Sequence, residues 1–473
     1  MKRIFYLVTA LLMVSVGYSQ TAEEYLNIGI EKDNHQDYRG AIADYTKAIE
    51  VNPKYDTAYN NRGLAKGNLQ DYRGAIIDFT KAIELDSKYA EAYCNRGITK
   101  YYLKDTNGAI ADYTKAIELD AKYAEAYFNR GIAKDILQEY RGAITDYNKA
   151  IELDPNLSKA YYNRGILKGN LQDYNEAVAD YTKAIEINPK FVNAYNNRGI
   201  AKDTLKDYNG AIIDFTKAIE LDPKFVNAYY NRGGTKDNLK DYSGAIADYT
   251  KAITLDSKNA EAYYNRGIAK DNLKDIEGAV ADYTIAIEID PKFEVAYYNR
   301  GIAKYNMQNF NGAIDDYNEA VKIDPKHALA YYNRGFAKHK LQDYKGATDD
   351  FTKTIELEPK YAEAYNNRGN EKVSLQNYSE AISDYTKAIE LDPKHAKAYI
   401  NRGFAKQKLK DYEGAITDFT KTIELEPKYA EAYCNRGIIK IILGQKNSGC
   451  LDLNKAGELG FTKAYEAIKK FCN

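Results

Sequence analysis

The sequence predicts an all-α fold, an α-solenoid superhelix of about thirteen 34-residue helix-turn-helix repeats, and three observations carry that reading. The triplet Asn-Arg-Gly recurs at Asn61, Asn95, Asn129, Asn163, Asn197, Asn231, Asn265, Asn299, Asn333, Asn367, Asn401 and Asn435, always 34 residues apart, with Gly29 in phase one unit earlier. No copy carries an insertion, so one supersecondary unit is stacked on itself in a line, from Ala22 to Lys463. Within a unit such as Val192 to Phe225, apolar residues fall at helical spacing in two stretches, each too short to be stable alone.

Taken in order, the chain opens on Met1-Lys2-Arg3, an apolar run from Ile4 to Val16 and then Gly17-Tyr18-Ser19. A basic start, an apolar run too short to cross a bilayer and small residues at its end predict a signal peptide over 1–19, removed after Ser19. The mature protein is then expected to be exported, either periplasmic or extracellular, with no membrane span. Losing Lys2 and Arg3 takes the formal charge from −1 to −3. A chain this close to neutral, slightly acidic and without a basic stripe, argues against a nucleic-acid partner.

In the first helix of each unit Tyr195, Ile200 and Leu205 supply the apolar positions, with Gly199 between them. The second helix carries Ala211, Ile212, Phe215, Ala218, Ile219 and Leu221. Asp207 is placed to cap it, because its carboxylate can accept from free N–H groups of the first turn. Glu176 and Glu380 stand three residues after Asp173 and Asn377, a capping-box spacing. Asp222-Pro223 ends the unit, since the residue before proline is pushed out of the helical region. All nine prolines, Pro53 to Pro427, hold this place, and no linker composition interrupts the array. Glycine within a helix costs about 1 kcal/mol relative to alanine. Its recurrence from Gly29 to Gly437 therefore predicts close helix approach, with Ala41, Ala75, Ala109 and their successors to Ala415 facing it.

Tyr195, Gly199, Ala211, Phe215, Ala218 and Pro223 match in order and spacing the small/large/proline signature of the tetratricopeptide repeat, which the chain resembles over about 442 of its 473 residues. The unit departs from that pattern twice. Tyrosine stands for the usual tryptophan, and arginine takes the place of leucine before the glycine in twelve units. The arginine needs a partner. Arg198 and Lys202 share a helix face, and each unit places an aspartate before its large aromatic, from Asp44 to Asp452, so a ladder of Arg/Lys–Asp bridges is expected.

The last unit, with its LNKAGELGFTKAYE stretch, is similar to the Sel1-like variant of the same helix pair, and residues 464–473 read as a capping helix. Cys450 and Cys472 lie on these two elements and are candidates for a disulfide stapling the cap, with two reduced thiols as the alternative. Cys94 and Cys434 are ten units apart and are not expected to pair.

No catalytic constellation stands out: no phosphate-binding glycine loop, and no second histidine at ligand spacing from His327 or His395, both read as surface residues. No enzyme activity, metal or cofactor is expected. The resemblance implies instead that first helices line a concave groove, exposed at places two, five, six, nine, twelve and thirteen of the unit. Carried onto this chain, these places select tyrosines Tyr162, Tyr230, Tyr264, Tyr298 and Tyr332 at place five, either an exposed row anchoring a partner or packing between repeats. Asparagines Asn163, Asn231, Asn265, Asn299 and Asn333 at place six either hold a peptide backbone or bridge neighbouring first helices. Asp203, Asp237 and Asp271 at place twelve, with Glu23, Asp33, Glu91, Glu125, Asp135 and Glu261 against Lys159 alone, predict an acidic groove through the first eight units, favouring a basic segment, and Lys340, Lys397 and Lys408 a more basic stretch after unit nine. The tyrosines at place four, Tyr195 and Tyr229 among them, are expected in the core. The implied function is a non-enzymatic, exported protein–protein interaction scaffold that binds a protein or peptide in the groove; the alternative is a structural, self-assembling envelope protein with a passive groove.

Overall fold

A computed structural model describes residues 20–472; the expected signal peptide lies outside the described residues. Among the described residues the chain forms twenty-seven α-helices and no strand. Thirteen pairs follow one another from Ala22–Asn34 with Tyr38–Val51 to Ala430–Ile442 with Lys446–Glu458, and a last helix spans Thr462–Phe471. That cap starts two residues earlier than the sequence suggests. The chain divides into two compact units between Thr235 and Lys236.

Each pair is an antiparallel hairpin whose first helix ends in a Schellman turn. In the sixth, the Lys206 N–H reaches the Asp203 carbonyl at 2.8 Å and the Asp207 N–H reaches the Lys202 carbonyl at 2.9 Å. The turn residue is left-handed, and at twelve of thirteen turns it is Gln or Lys, with φ between 61 and 68°. The residue that closes the Schellman turn also caps the second helix: Asp207 Oδ1 accepts from Gly210 N at 3.0 Å. A β-carbon on Gly210 would stand 2.1 Å from Asp207 Oδ2. The glycine is what leaves room for the cap.

The same contact explains why the expected capping boxes do not form. Where glutamate replaces this glycine, neither Asp173 nor Asn377 makes a side-chain cap bond. Glu176 turns instead to Lys168 at 2.9 Å, and Glu380 to Lys372 at 3.3 Å. A reciprocal capping box does close the start of the array, between Thr21 and Glu24. Asp222 ends its helix in an extended conformation and accepts from Lys224 N at 2.9 Å.

The repeated glycine of the first helix makes room for the large aromatic, not for the alanine expected to face it. A β-carbon on Gly199 would lie 2.7 Å from the Phe215 ring. Ala211 and its equivalents are fully buried beside it. In the last pair Leu453 replaces the aromatic, and the backbones themselves meet: a β-carbon on Gly437 would sit 2.8 Å from the Gly449 carbonyl. A disulfide joins Cys450 to Cys472 with Cα atoms 5.8 Å apart, tying the final helix to this pair. Cys94 and Cys434 are buried free thiols.

Candidate functional site: the inner layer of first helices

Within each unit, first helices of successive repeats touch one another, as Asp56–Asn68 does Ala90–Tyr102 and Ala362–Ser374 does Ala396–Lys408, while second helices lie farther apart. The first helices are therefore the inner layer. Two hydrogen-bonded systems fix how this layer presents its side chains.

One is the charge ladder. Arg198 Nε and Nη2 hold the Asp214 carboxylate at 2.9 and 2.6 Å, and Lys202 Nζ reaches its second oxygen at 2.7 Å. The same triad recurs at Arg130, Lys134 and Asp146, and at Arg402, Lys406 and Asp418. These aspartates are buried throughout the array. In the first repeat, where Ile28 stands in the arginine place, Lys32 binds Asp44. The remaining guanidinium nitrogen crosses to the preceding repeat, Arg198 Nη1 to Thr182 Oγ1 at 3.1 Å, and Arg164 to Asn148 at 2.6 Å. The recurrent Thr or Asn one place after each large aromatic was the available signal for this partner.

Each arginine also lies over the tyrosine three residues before it, Arg198 at 5.6 Å from the Tyr195 ring centroid. This corrects the assignment of these tyrosines to the core. They are half-buried platforms for the guanidinium, and of the pair named above only Tyr229 is buried. Ile200, at place nine of the groove, is 43% exposed, and Leu205 is 39% exposed.

The second system joins first helices through places five and six. The tyrosines are half-buried between repeats rather than an exposed row. Tyr162 packs 5.9 Å from Tyr181 and 4.7 Å from Phe191; Tyr264, Tyr298 and Tyr332 take equivalent positions beside Phe293, His327 and Tyr361. Tyr230 is half-buried as well. Burial raises the phenol pKa at Tyr162, Tyr264, Tyr298 and Tyr332. Each of these hydroxyls accepts from the asparagine one repeat on: Asn197 to Tyr162 at 3.1 Å, Asn299 to Tyr264 at 2.9 Å, Asn333 to Tyr298 at 3.0 Å, Asn367 to Tyr332 at 2.9 Å. Where place five is asparagine the bond persists, Asn231 to Asn196 at 3.0 Å. Asn163 and Asn265 are half-buried at the same place.

Asp203, Asp237 and Asp271 are half-buried too. One carboxylate oxygen on Asp203 and one on Asp237 is buried without a hydrogen-bond partner, and burial raises the Asp237 pKa. Repeat eleven departs from the pattern: Glu371 is buried where most repeats place alanine, and pairs with His339 at 2.9 Å. Asn370 beside it accepts from Tyr385 Oη at 2.8 Å and Asn401 at 3.0 Å. His327 is paired with Glu294, and His395 is buried, not on the surface, 3.4 Å from Glu363. Among the described residues no three His, Cys, Asp or Glu side chains gather to hold a metal ion, and no helix is long and apolar enough to cross a membrane.

Open hollows interrupt the inner layer. One of about 380 Å³ includes Leu64, Gly67 and Tyr102, and one of about 340 Å³ is lined by Ile302, Tyr305, Asn306, Tyr317, Asn333 and Phe336.

No curated protein matches the chain. Among solved structures it is similar to YrrB, described as a TPR protein with an unusual peptide-binding site, at 27% identity over 39% of this chain and 95% of that one, with a TM-score of 0.37. It is similar to MamA at 31% identity over 34% and 95%, TM-score 0.33. A tetratricopeptide repeat protein from Parabacteroides merdae matches at 23% identity over 54% and 97%, TM-score 0.39. Tetratricopeptide repeat family models match residues 124–157, 158–191, 192–225, 260–293, 362–395 and 396–429, with further TPR matches at 35–70, 99–134, 239–270 and 305–342 and at 56–89 and 328–361. Repeats of this kind are scaffolds for protein–protein interaction, and the chain, matched over most of its length, belongs to the tetratricopeptide repeat family.

Proposed function

We propose that this protein is an exported scaffold that holds a segment of a partner protein against the inner layer of first helices. The observation that carries the reading is the apolar surface this layer leaves uncovered. Tyr102 is 57% exposed, Ile136 55%, Ile200 43% and Phe404 38%. Large apolar side chains exposed along one layer favour association with a partner. Exposed carboxylates on the same layer, Glu91 and Glu125 among them, support a basic segment as that partner. Export is supported by the basic-then-apolar N-terminus and by the Cys450–Cys472 bridge, which persists in an oxidising compartment.

Affinity capture from cell-envelope extract tests this with three forms of the mature chain: wild type, an inner-layer variant carrying Ile200→Lys and Phe404→Lys, and an outer-helix variant carrying Ile213→Lys, a residue 67% exposed. A protein enriched by wild type and by the outer variant, and lost from the inner-layer variant, is the expected result. Equal enrichment by all three would move binding away from the inner layer.

A further inference from the structure

We propose that the inner face of the second and third repeats is a socket for one large apolar side chain of a partner segment, with basic residues flanking that side chain. The proposal rests on the groove reading above and names the chemistry of one subsite.

The socket arises from two deletions that coincide in one repeat. Place twelve carries Asp, Tyr, His, Val, Gln or Ile in eleven repeats and glycine in two, Gly67 and Gly169. The large aromatic of the second helix is tyrosine in eight repeats and phenylalanine in four, Phe79 among them. In the fifth repeat the Tyr181 hydroxyl comes within 3.9 Å of where a β-carbon on Gly169 would stand. In the second repeat neither the side chain nor the hydroxyl is present, and a β-carbon on Gly67 would meet nothing within 4 Å. The hollow of about 380 Å³ is what remains.

Its lining combines apolar side chains with Asn68, Gln70, Asn95 and Thr99. Phe79 forms the buried floor, Leu64 and Ile98 the sides, and Tyr72 and Tyr102 stack at 5.4 Å with rings 6° from parallel. A hollow of this size accepts a leucine or phenylalanine side chain.

Charge around the socket selects what flanks that side chain. Four nearby cations are committed, Arg62 and Lys66 to Asp78 and Arg96 and Lys100 to Asp112, all at 2.7 Å. Glu91 is exposed and reaches Asn60 at 3.4 Å, and Asn60 in turn holds Asn95, which lines the socket. Asp135 lies near Tyr101, one residue before the lining Tyr102. Glu91 thus offers an exposed carboxylate beside the socket, complementary to a Lys or Arg flanking the anchor.

Fluorescence anisotropy on the full mature chain tests this with capped Lys/Ala peptides carrying one central Phe, Leu or Ala, and with a Glu/Ala control. Wild type should prefer the Phe or Leu peptide over the Ala peptide by about ten-fold or more, the gain expected from burying one such side chain. Gly67→Leu fills the socket from the rim, into space no atom occupies. Phe79→Tyr fills it from the floor with the residue eight other repeats carry. Both should keep the helical fold and the affinity for the Ala peptide while bringing the preference close to one. Absence of a preference in wild type, or a preference unchanged in both variants, overturns the socket. If Lys/Ala peptides bind but the preference survives filling, the groove reading stands without this subsite. If no peptide binds, both fall.

Discussion

Removing one aspartate of the ladder should loosen one repeat and spare the rest. Asp214 is 1% exposed and takes three bonds of 2.6 to 2.9 Å from Arg198 and Lys202, which are themselves 15% and 21% exposed. Asp214→Ala deletes the carboxylate and leaves two cations facing one another across a dry gap. Breaking a buried pair in this way costs about 3–5 kcal/mol, and partial exposure of the cations brings the expectation to about 3 kcal/mol. In a linear array, stability is set by each repeat and its nearest neighbours, so the loss should concentrate in Val192–Thr204 and Tyr208–Leu221. Amide hydrogen exchange resolved by peptide is the suitable assay, because a single melting temperature averages over the array. A deficit of about 3 kcal/mol corresponds to roughly a hundred-fold faster opening of these helices, with smaller effects one repeat away. Arg198→Met added to Asp214→Ala should restore part of the loss, since it removes one of the stranded charges. Exchange in both helices within a factor of three of wild type, or a double variant that adds the two losses in full, would refute the ladder as a stabilising device.

Three further outcomes follow from the geometry. Gly199→Ala should destabilise by about 1–3 kcal/mol through overpacking despite the better helix propensity of alanine, because its β-carbon meets the Phe215 ring at 2.7 Å; hydrogen exchange in the same repeat is the readout. Lys206→Gly relieves a left-handed residue with φ of 63° and should stabilise its turn by up to about 1 kcal/mol, seen as slower exchange of the Asp207 and Gly210 amides. Burial raises the pKa of Glu371 above its ordinary value of 4.5, against the opposing influence of His339. The folded chain then holds this proton more tightly than the unfolded chain, so the contribution of Glu371 to stability falls as pH rises from about 4.5 through its folded pKa. Glu371→Gln should therefore gain stability relative to wild type at neutral pH, and the gain should shrink on acidification; a pH-independent difference in exchange would contradict it.

The 34-residue period, the helix pairs, the Asp cap, the proline stop and the pairing of Arg198 and Lys202 with Asp214 were all legible in the sequence, because each depends on residues within one unit or on spacing along one helix. Exposure was not. Tyr195 and Tyr162 are adjacent in their units' pattern and identical in chemistry, and both turned out half-buried for different reasons: one supports a guanidinium, the other wedges between repeats and accepts from Asn197. Those roles depend on neighbours that packing brings in: Asp214 holds Arg198 beside Tyr195, and the next repeat brings Asn197 to Tyr162. The capping boxes at Glu176 and Glu380 failed for a related reason, since within the hairpin turn a side chain at that place crowds the Asp173 or Asn377 cap. The second-repeat hollow is the clearest case: Gly67 and Phe79 stand twelve residues apart and are unremarkable singly, and only packing of the two helices turns two missing groups into one space. Sequence alone determined the repeating unit, because local spacing and capping are properties of a chain. Tertiary structure decided which faces remain open, because burial is a property of neighbours.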